Sequence, residues 1–358
     1  MPETLNFVAQ DLKEFAARVF VGCGAPSEEA AMIADHLVKA NLMGYDSHGI
    51  IRICQYVPEV RNGRIIPGAP IHLHNETETT AILDCGWNYG QVGALRAVQC
   101  AVEKARNHNT ATVVTRRCSH VGRLGAYTQA AAEQGFIAIA ACNSPPGDGH
   151  FVLPWGGREG RLSTNPISFA IPCGSDAPIL ADFSTSQAPE GKIRLYLNQK
   201  KQLPNGWIVD AKGNPSNDPA DFYGPPRGGI LPFGGDLGYR GFALGILMEV
   251  LAGLLAGTRT TVPQPGNGIC FIVVNVSAFL SRQEFDGLTK ELRDHLKSSP
   301  VAPNHKEVVL PGELDFRLLK ERTAHGIPID PKTWEQICLN AESVGVKWVG
   351  GSKIPSHS

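Results

Sequence analysis

The chain lacks the short signatures that usually announce a nucleotide- or metal-dependent enzyme. No Gly-x-Gly-x-x-Gly opens a helix after a strand, so the dinucleotide-binding crossover has no fingerprint here. There is no Gly-x-x-x-x-Gly-Lys-Ser/Thr phosphate loop, no Gly-x-Ser-x-Gly elbow and no His-Glu-x-x-His metal pair, and no residues are assigned to a metal. Nine cysteines include no Cys-x-x-Cys, and their odd number and scatter suit reduced thiols in a cytoplasmic protein. Thirty-three basic and 34 acidic residues leave a net charge of −1, which excludes a nucleic-acid footprint and an acidic tail. Met1-Pro2-Glu3-Thr4 has neither a basic nor an apolar leader segment, so no secretory signal is expected. The longest apolar run, Phe242 to Gly257, is interrupted by Glu249 and is short for a bilayer. It reads as a buried core helix, and no membrane partner is expected.

What is present is an ordinary globular chain of 358 residues, 42% hydrophobic and 19% charged, long enough for two or three compact domains. Leu12, Phe15, Ala16, Val19 and Phe20 space an amphipathic helix over Asp11 to Val21. Ser27 is the expected cap of a second helix running to Gly44, and Ile50 to Arg61 reads as a third, so the first 65 residues are expected to be all helical. The texture then alternates. Strand-like runs at Ile71–Asp84, Ala111–Thr115, Phe136–Cys142, Ile167–Ile171, Pro178–Asp182 and Cys270–Val276 are interleaved with helical ones at Gln91–Asn107, Gly125–Gln134 and Glu190–Leu197. Residues 143–165 are rich in turns and 203–234 read as irregular; amphipathic helices return at Arg282–Lys297 and Pro331–Val344. Helices at both ends around an α/β centre predict a helical domain from residues 1–72 and 282–358 and a central domain, 73–281.

One heptad concentrates chemistry: Asp46-Ser47-His48-Gly49-Ile50-Ile51-Arg52. Asp46 or Ser47 can cap the following helix, which would put His48 at the positive end of its dipole and favour the neutral imidazole. Arg52, four residues on, would share the face of His48. A neutral proton acceptor beside a fork of N–H donors suits a hydroxyl next to a carboxylate. The same ingredients recur in Ser119-His120-Val121-Gly122-Arg123-Leu124-Gly125, between a strand and a helix, where α/β proteins place functional groups. Either copy alone is equally a decorated turn. Ser163-Thr164-Asn165-Pro166 offers short polar groups for a carboxylate or an amide, or simple turn chemistry. Asp182, at a strand end before Ser184, Thr185 and Ser186, can orient a histidine or a ribose, or cap a helix. Gly234-Gly235-Asp236-Leu237-Gly238-Tyr239-Arg240-Gly241 opens the apolar helix and suits either a pyrophosphate cradle or close helix packing. His36 stands without an evident partner, and Cys118 has no base-and-orienter set around it.

Taken together and in order, Asp46-Ser47-His48-Gly49, Gly90-Gln91-Val92, Ser119-His120 through Gly125, Thr164-Asn165-Pro166, Asp182 with Thr185-Ser186, Gly191-Lys192 and Pro311-Gly312-Glu313 resemble the type 2 malate/L-lactate dehydrogenases. That group includes ureidoglycolate, sulfolactate and diketogulonate oxidoreductases, and the chain looks most like its bacterial hydroxycarboxylate dehydrogenase B branch. The resemblance implies a non-Rossmann α/β fold, a helical domain from both chain ends and a central α/β domain with a mostly antiparallel sheet. It also implies a homodimer that uses NAD or NADP to interconvert a small 2-hydroxy acid and its 2-oxo acid. His48 matches the family's acid/base histidine and His120 a second one given that role in some members, while Asp182 matches a catalytic aspartate of an imine-reducing branch. Ser47, Arg52, Thr164 and Asn165 would face the substrate. The cofactor would contact His48, Gly122, Arg123, Leu124, Leu180, Ala181, Asp182, Phe183, Ser184, Asn275, and Lys320, Glu321, Arg322 and Thr323. Relatives carry a compact Gly-Gly-His-Lys-Gly or Glu-His-Lys-Gly before the apolar helix; here Tyr239 and Arg240 fall in the His and Lys places, which keeps a cation for the cofactor and loses an imidazole. Two further readings stay open: reduction of a cyclic imine carboxylate, and a nucleotide-binding member with impaired catalysis.

Overall fold

The computed structural model describes residues 5–146 and 149–350. The N-terminal tetrapeptide and residues 147–148 of the turn-rich stretch, both read above from sequence, lie outside the described residues. Along the chain come β1 (Leu5–Phe7), α1 (Ala9–Gly22), α2 (Ser27–Leu42), α3 (Ile53–Arg61), β2 (His72–Glu76), β3 (Thr80–Asp84), α4 (Gly90–His108), β4 (Thr110–Cys118), α5 (Gly125–Ala132) and β5 (Phe136–Asn143). The middle of the chain supplies β6 (Ile167–Cys173), β7 (Asp176–Phe183), α6 (Glu190–Asn198), β8 (Ile208–Val209), β9 (Pro215–Ser216), α7 (Pro219–Tyr223), β10 (Gly229–Ile230), α8 (Gly238–Ala252) and β11 (Asn267–Asn275). The chain finishes with α9 (Arg282–Lys297), α10 (Glu313–His325), β12 (Ile327–Ile329) and α11 (Pro331–Glu342).

A seven-stranded sheet in the order β2-β3-β4-β11-β5-β6-β7 organises this α/β protein, and only β3 and β4 run parallel. Alternate residues of a strand face opposite sides, and the burial follows that rule. Val113, Ala140 and Phe271 meet the alanine-rich face of α4 (Ala94, Ala97, Ala101) together with Tyr127 of α5. Their neighbours Val114, Ala141 and Cys270 meet Met248 and Ala252 of α8 on the other side. Each fully buried Val, Phe or Met side chain contributes about 1.5–3 kcal/mol. A separate core joins the ends of the chain: Leu12, Phe15 and Phe20 of α1, Ile33 and Leu37 of α2 and Tyr56 of α3 pack with Ile327 of β12 and Ile337 of α11.

Several expectations change. The first 65 residues are not all helical: Leu5–Phe7 pair antiparallel with Ile327–Ile329, a strand made by a partner more than 300 residues away, with no local period to betray it. Ser27 is the first helical residue rather than the cap, which is Pro26. The third helix starts late. Residues 46–48 and 50–52 form two separate 3₁₀ turns before α3, and neither Asp46 nor Ser47 makes a side-chain cap. The stretch 203–234 folds into the small sheet β10-β8-β9 with α7. α10, within the tail left unassigned, is a full helix. α9 docks on the β6–β7 hairpin, where Asp286 accepts from the Gly174 N–H at 3.0 Å and Arg293 pairs with Asp176 at 2.7 Å. The apolar helix is α8, and it is not buried all round: Tyr239, Ile246 and Leu247 are exposed on it, as are Leu254 and Leu255 just beyond.

Candidate active site

Register places the loops. Pairing sets Cys118 at the end of β4 across from Asn267 at the start of β11, Gly268 against Asn143 at the end of β5, and Ile167 at the start of β6 against Phe183 at the end of β7. The loops that carry His120, Thr164–Asn165 and Ser184 therefore leave the sheet at one edge. Asn275 pairs with Phe136 at the other end of β11, eight residues and about 26 Å away along the strand. The structure does not bring Asn275 to the histidines. Its side chain accepts from the Ser277 N–H instead, at 3.0 Å.

At the shared edge the two Ser-His segments meet. The rings of His48 and His120 stack with centroids 5.7 Å apart and 20° between planes. His48 Nδ1 lies 3.0 Å from Ser47 Oγ. The surroundings favour the neutral imidazole, though for another reason than the one expected from sequence. No continuous helix begins here, and burial first, then the Arg52 guanidinium, push the His48 pKa down to about 3. The same two causes hold His120 well below the ordinary histidine value. Arg52 donates from Nε to the Ser47 carbonyl at 2.7 Å and from Nη1 to Gln55 at 2.5 Å, and among the described residues its Nη2 has no partner.

The loop that carries His48 is held from behind by residues the sequence did not single out. Asn41, buried at the end of α2, accepts from the Ile50 N–H at 2.8 Å and donates to Asp46 at 2.7 Å. A Cβ at Gly49 would collide with that Asn41 amide. Arg322 grips Asp46 with both terminal nitrogens, at 2.7 and 3.1 Å. Of the α10 segment expected at the cofactor, Arg322 is thus a strut for the loop, Thr323 Oγ1 bonds back to the Leu319 carbonyl, and Lys320 and Glu321 are exposed.

His120 is anchored more deeply. Fully buried Tyr56 places its hydroxyl 2.7 Å from His120 Nδ1 and receives the Gln91 amide at 2.7 Å. His36, unassigned from sequence, accepts the Arg123 N–H at 3.0 Å and stacks on Tyr127. Gly122 has φ +72° and presses so closely on His36 that a side chain has no room; both the backbone angle and the contact require glycine there. Arg123 is 2% exposed, lies over the Tyr45 ring at 4.8 Å, and has Nε and Nη2 without partners among the described residues. Beside it Asp182 accepts the Gly125 N–H at 2.6 Å, at the start of α5. Burial raises the Asp182 pKa, and that hydrogen bond and Arg123 oppose the rise.

Leu180 is buried and its N–H donates to the Pro311 carbonyl at 3.2 Å; Leu124 is buried too. Ala181 is half-buried, Phe183 is exposed and Ser184 Oγ donates to the Ser186 carbonyl. Thr164 offers its carbonyl to Thr185. Asn165 is wholly buried and donates to Glu249 of α8 at 2.7 Å and to the Gly245 carbonyl at 3.0 Å. The NH2 half of that amide joins the sheet to α8, and its Oδ1 is buried without a partner among the described residues. Tyr239 and Arg240 stand in the first turn of α8, exposed and in contact with each other at 3.2 Å.

A cavity of about 470 Å³ opens against His120, Ser119, Gln55, Glu59, Arg64 and Ser144. A larger hollow of about 890 Å³, between α4 and the β2–β3 hairpin, holds neither site histidine.

Two stacked imidazoles thus share one end of the sheet with a guanidinium whose Nη2 has no partner among the described residues. A family model described as malate/L-lactate dehydrogenase matches residues 7–338. This chain belongs to that family. It is 33% identical over 348 residues to a malate dehydrogenase of Pyrococcus abyssi, covering 94% of each chain. It is 32% identical over 352 residues to hydroxycarboxylate dehydrogenase B of Escherichia coli O157:H7, covering 95% of each. Among solved structures, sulfolactate dehydrogenase from Methanocaldococcus jannaschii superposes with a TM-score of 0.87 at 32% identity, over 97% of this chain and 98% of that one. The family read from the ordered motifs is the family found, and the chain is an oxidoreductase of the dehydrogenase type.

Proposed function

We propose that this protein transfers a hydride between NAD or NADP and a small 2-hydroxy acid, or its 2-oxo acid, in the cavity beside His120. The observation that carries the reading is the stacked pair of neutral imidazoles with the unpartnered Nη2 of Arg52 next to them. The substrate carboxylate pairs with Arg52. That pairing also cancels the positive charge which depresses His48, so its basicity rises as substrate binds. His48 takes the hydroxyl proton during oxidation and returns it to the 2-oxo oxygen during reduction. A bound nicotinamide supplies the hydride acceptor or donor.

The residues fit such a nucleotide. Arg123 has two buried nitrogens, Nε and Nη2, that nothing among the described residues satisfies, and buried donors of that kind cost about 1–3 kcal/mol each unless an acceptor arrives. A phosphate or ribose oxygen near Gly122, Arg123 and Leu124 provides one, with Leu180 to Ser184 on the far side and Tyr239 and Arg240 at the start of α8. The antiparallel order of the large sheet supports a fold other than the doubly wound one. The shared core of α1, α2 and α3 with α11 supports a helical domain from 1–72 and 282–358, with α9 reaching across to the central domain, 73–281. The uncovered apolar side of α8 supports a homodimer, and the even charge a soluble cytoplasmic enzyme.

The test is loss of reduced-nucleotide absorbance with NADH or NADPH and a panel of 2-oxo acids, with a cyclic imine carboxylate as a separate arm. His48→Ala is expected to abolish turnover and keep nucleotide binding. Unchanged turnover in that variant removes His48 from the chemistry, and binding of nucleotide without turnover of any acid overturns the dehydrogenase reading.

A further inference from the structure

We infer that Tyr56 and Gln91 are positioning residues that lock His120 as its Nε2–H tautomer, making it a fixed hydrogen-bond donor while His48 exchanges the proton. The inference rests on the reading above for its catalytic consequence only. Its structural half follows from counting hydrogens.

An imidazole without charge carries one proton, on Nδ1 or on Nε2, and the partners of one nitrogen decide which. His120 Nδ1 has two neighbours. The Gly122 backbone N–H points at it from 3.4 Å, and a backbone N–H can only donate. The Tyr56 hydroxyl lies at 2.7 Å. With the Gln91 Nε2 group donating to Tyr56 at 2.7 Å, the phenol hydrogen has two acceptors, Nδ1 at 2.7 Å and the more distant His120 carbonyl at 3.5 Å, and the nearer one takes it. The chain Gln91 to Tyr56 to His120 then runs in one direction, every bond has a donor and an acceptor, and the ring proton is left on Nε2. The reverse polarity, with the Gln91 carbonyl accepting from Tyr56 and Nδ1–H donating to the phenol, sets the Gly122 N–H against another N–H. The fixed donor breaks the tie.

Protonating Nδ1 as well is disfavoured by the same contacts. Burial and the neighbouring Arg52 and His48 hold the ring neutral, and Tyr56, fully buried with its own ionisation suppressed, offers no negative charge. The two histidines are thereby unequal. Among the described residues Nδ1 of His48 has only the exposed Ser47 hydroxyl, which rotates and serves as donor or acceptor, so His48 is free to change protonation state. His120 is not. In reduction, Nε2–H of His120 polarises the 2-oxo group without giving up its proton, and His48 supplies the proton that ends on the 2-hydroxyl oxygen. In oxidation the same proton returns to His48.

Nitrogen-15 NMR of histidine-labelled full-length protein reads the tautomer directly, with the His120 signals assigned by their loss in His120→Asn. The expected result at neutral pH is a pyridine-type Nδ1 and a protonated Nε2. An Nδ1–H tautomer in the unaltered protein overturns the inference, and this arm needs no substrate, so it stands apart from the proposed reaction. Tyr56→Phe keeps the ring and removes the hydrogen bond. It is expected to mix the two His120 tautomers and to lower kcat by on the order of 100-fold, with KM and nucleotide binding nearly unchanged. Gln91→Leu, which leaves Tyr56 in place, is expected to do the same more weakly. Unchanged tautomer and unchanged kcat in Tyr56→Phe overturn the positioning role.

Discussion

The two Ser-His segments use nearly the same letters and are built in opposite ways. Around residue 48 the serine is exposed, the arginine is half-buried with one free nitrogen, and the loop is a pair of 3₁₀ turns propped on Asn41 and Arg322. Around residue 120 the serine is 3% exposed, the arginine 2%, and the histidine is bonded to a tyrosine that sees no solvent. One copy is free to change charge and meet a diffusing acid. The other is fixed before anything binds. A 2-hydroxy acid dehydrogenase needs both kinds of group, because the proton must move while the carbonyl must be held.

Exchanging the arginines in thought shows which half each serves. Arg52→Gln is the largest expected effect: kcat/KM falls by about 10²–10³-fold, the loss of a charge-assisted pair to the substrate carboxylate, with little change in folding. The guanidinium is also the second cause of the depressed His48 pKa. Removing it raises that pKa, so the acid limb of the rate profile for hydroxy-acid oxidation moves to higher pH. A profile that stays in place detaches Arg52 from His48.

Arg123→Met tests the buried copy and carries a different signature. The variant is expected to lose nucleotide affinity by about tenfold or more while the nucleotide-free protein keeps nearly the same stability, because removing two partnerless buried nitrogens offsets the lost attraction to Asp182 and the lost contact with the Tyr45 ring. Calorimetric titration with NADH and NADPH, alongside thermal unfolding, reads both. A marked loss of stability with unaltered affinity places Arg123 in the fold rather than at the cofactor.

Much of this was legible in the sequence, and the parts that were not share a cause. The ordered motifs placed the family, and the 3.6-residue period of Leu12, Phe15 and Val19 placed α1. Short-range pattern says nothing of partners far along the chain. It could not show β1 against β12, Asp46 taken by Arg322, or Asn165 committed to Glu249. Tyr56 was within reach: it lies four residues beyond Arg52, on the same helical face, and Gln91 stood in a quoted motif. What hid them was that a tyrosine among apolar residues reads as core, and this one is both core and site.

Asn41→Ala probes the support of the exposed copy. It strips the Ile50 N–H of its acceptor and leaves Asp46 with Arg322 alone. An expected cost of about 1–3 kcal/mol in denaturant unfolding should come with a fall in kcat, since the 3₁₀ turns carry His48. Lost stability with full activity means that the loop positions itself.

The support of the second copy is open to a test by pH. His36 sits under the second segment with its pKa held at about 3 by burial first and Arg123 next. In the unfolded chain it titrates near 6.5. Above that value it is neutral in both states. Between about 6.5 and 3 only the unfolded chain binds the proton, so stability falls as pH falls through this window. His48 and His120 act with the same sign; Asp182, whose carboxyl is raised, acts against them. His36→Gln keeps an acceptor for the Arg123 N–H and removes one titrating group. The slope of unfolding free energy against pH in that window should lessen by about one proton, roughly 1.4 kcal/mol per pH unit. Urea unfolding at several pH values measures it, and an unchanged slope means that His36 already takes up its proton in the folded protein, which would break the Arg123 N–H contact and loosen the segment described here as fixed.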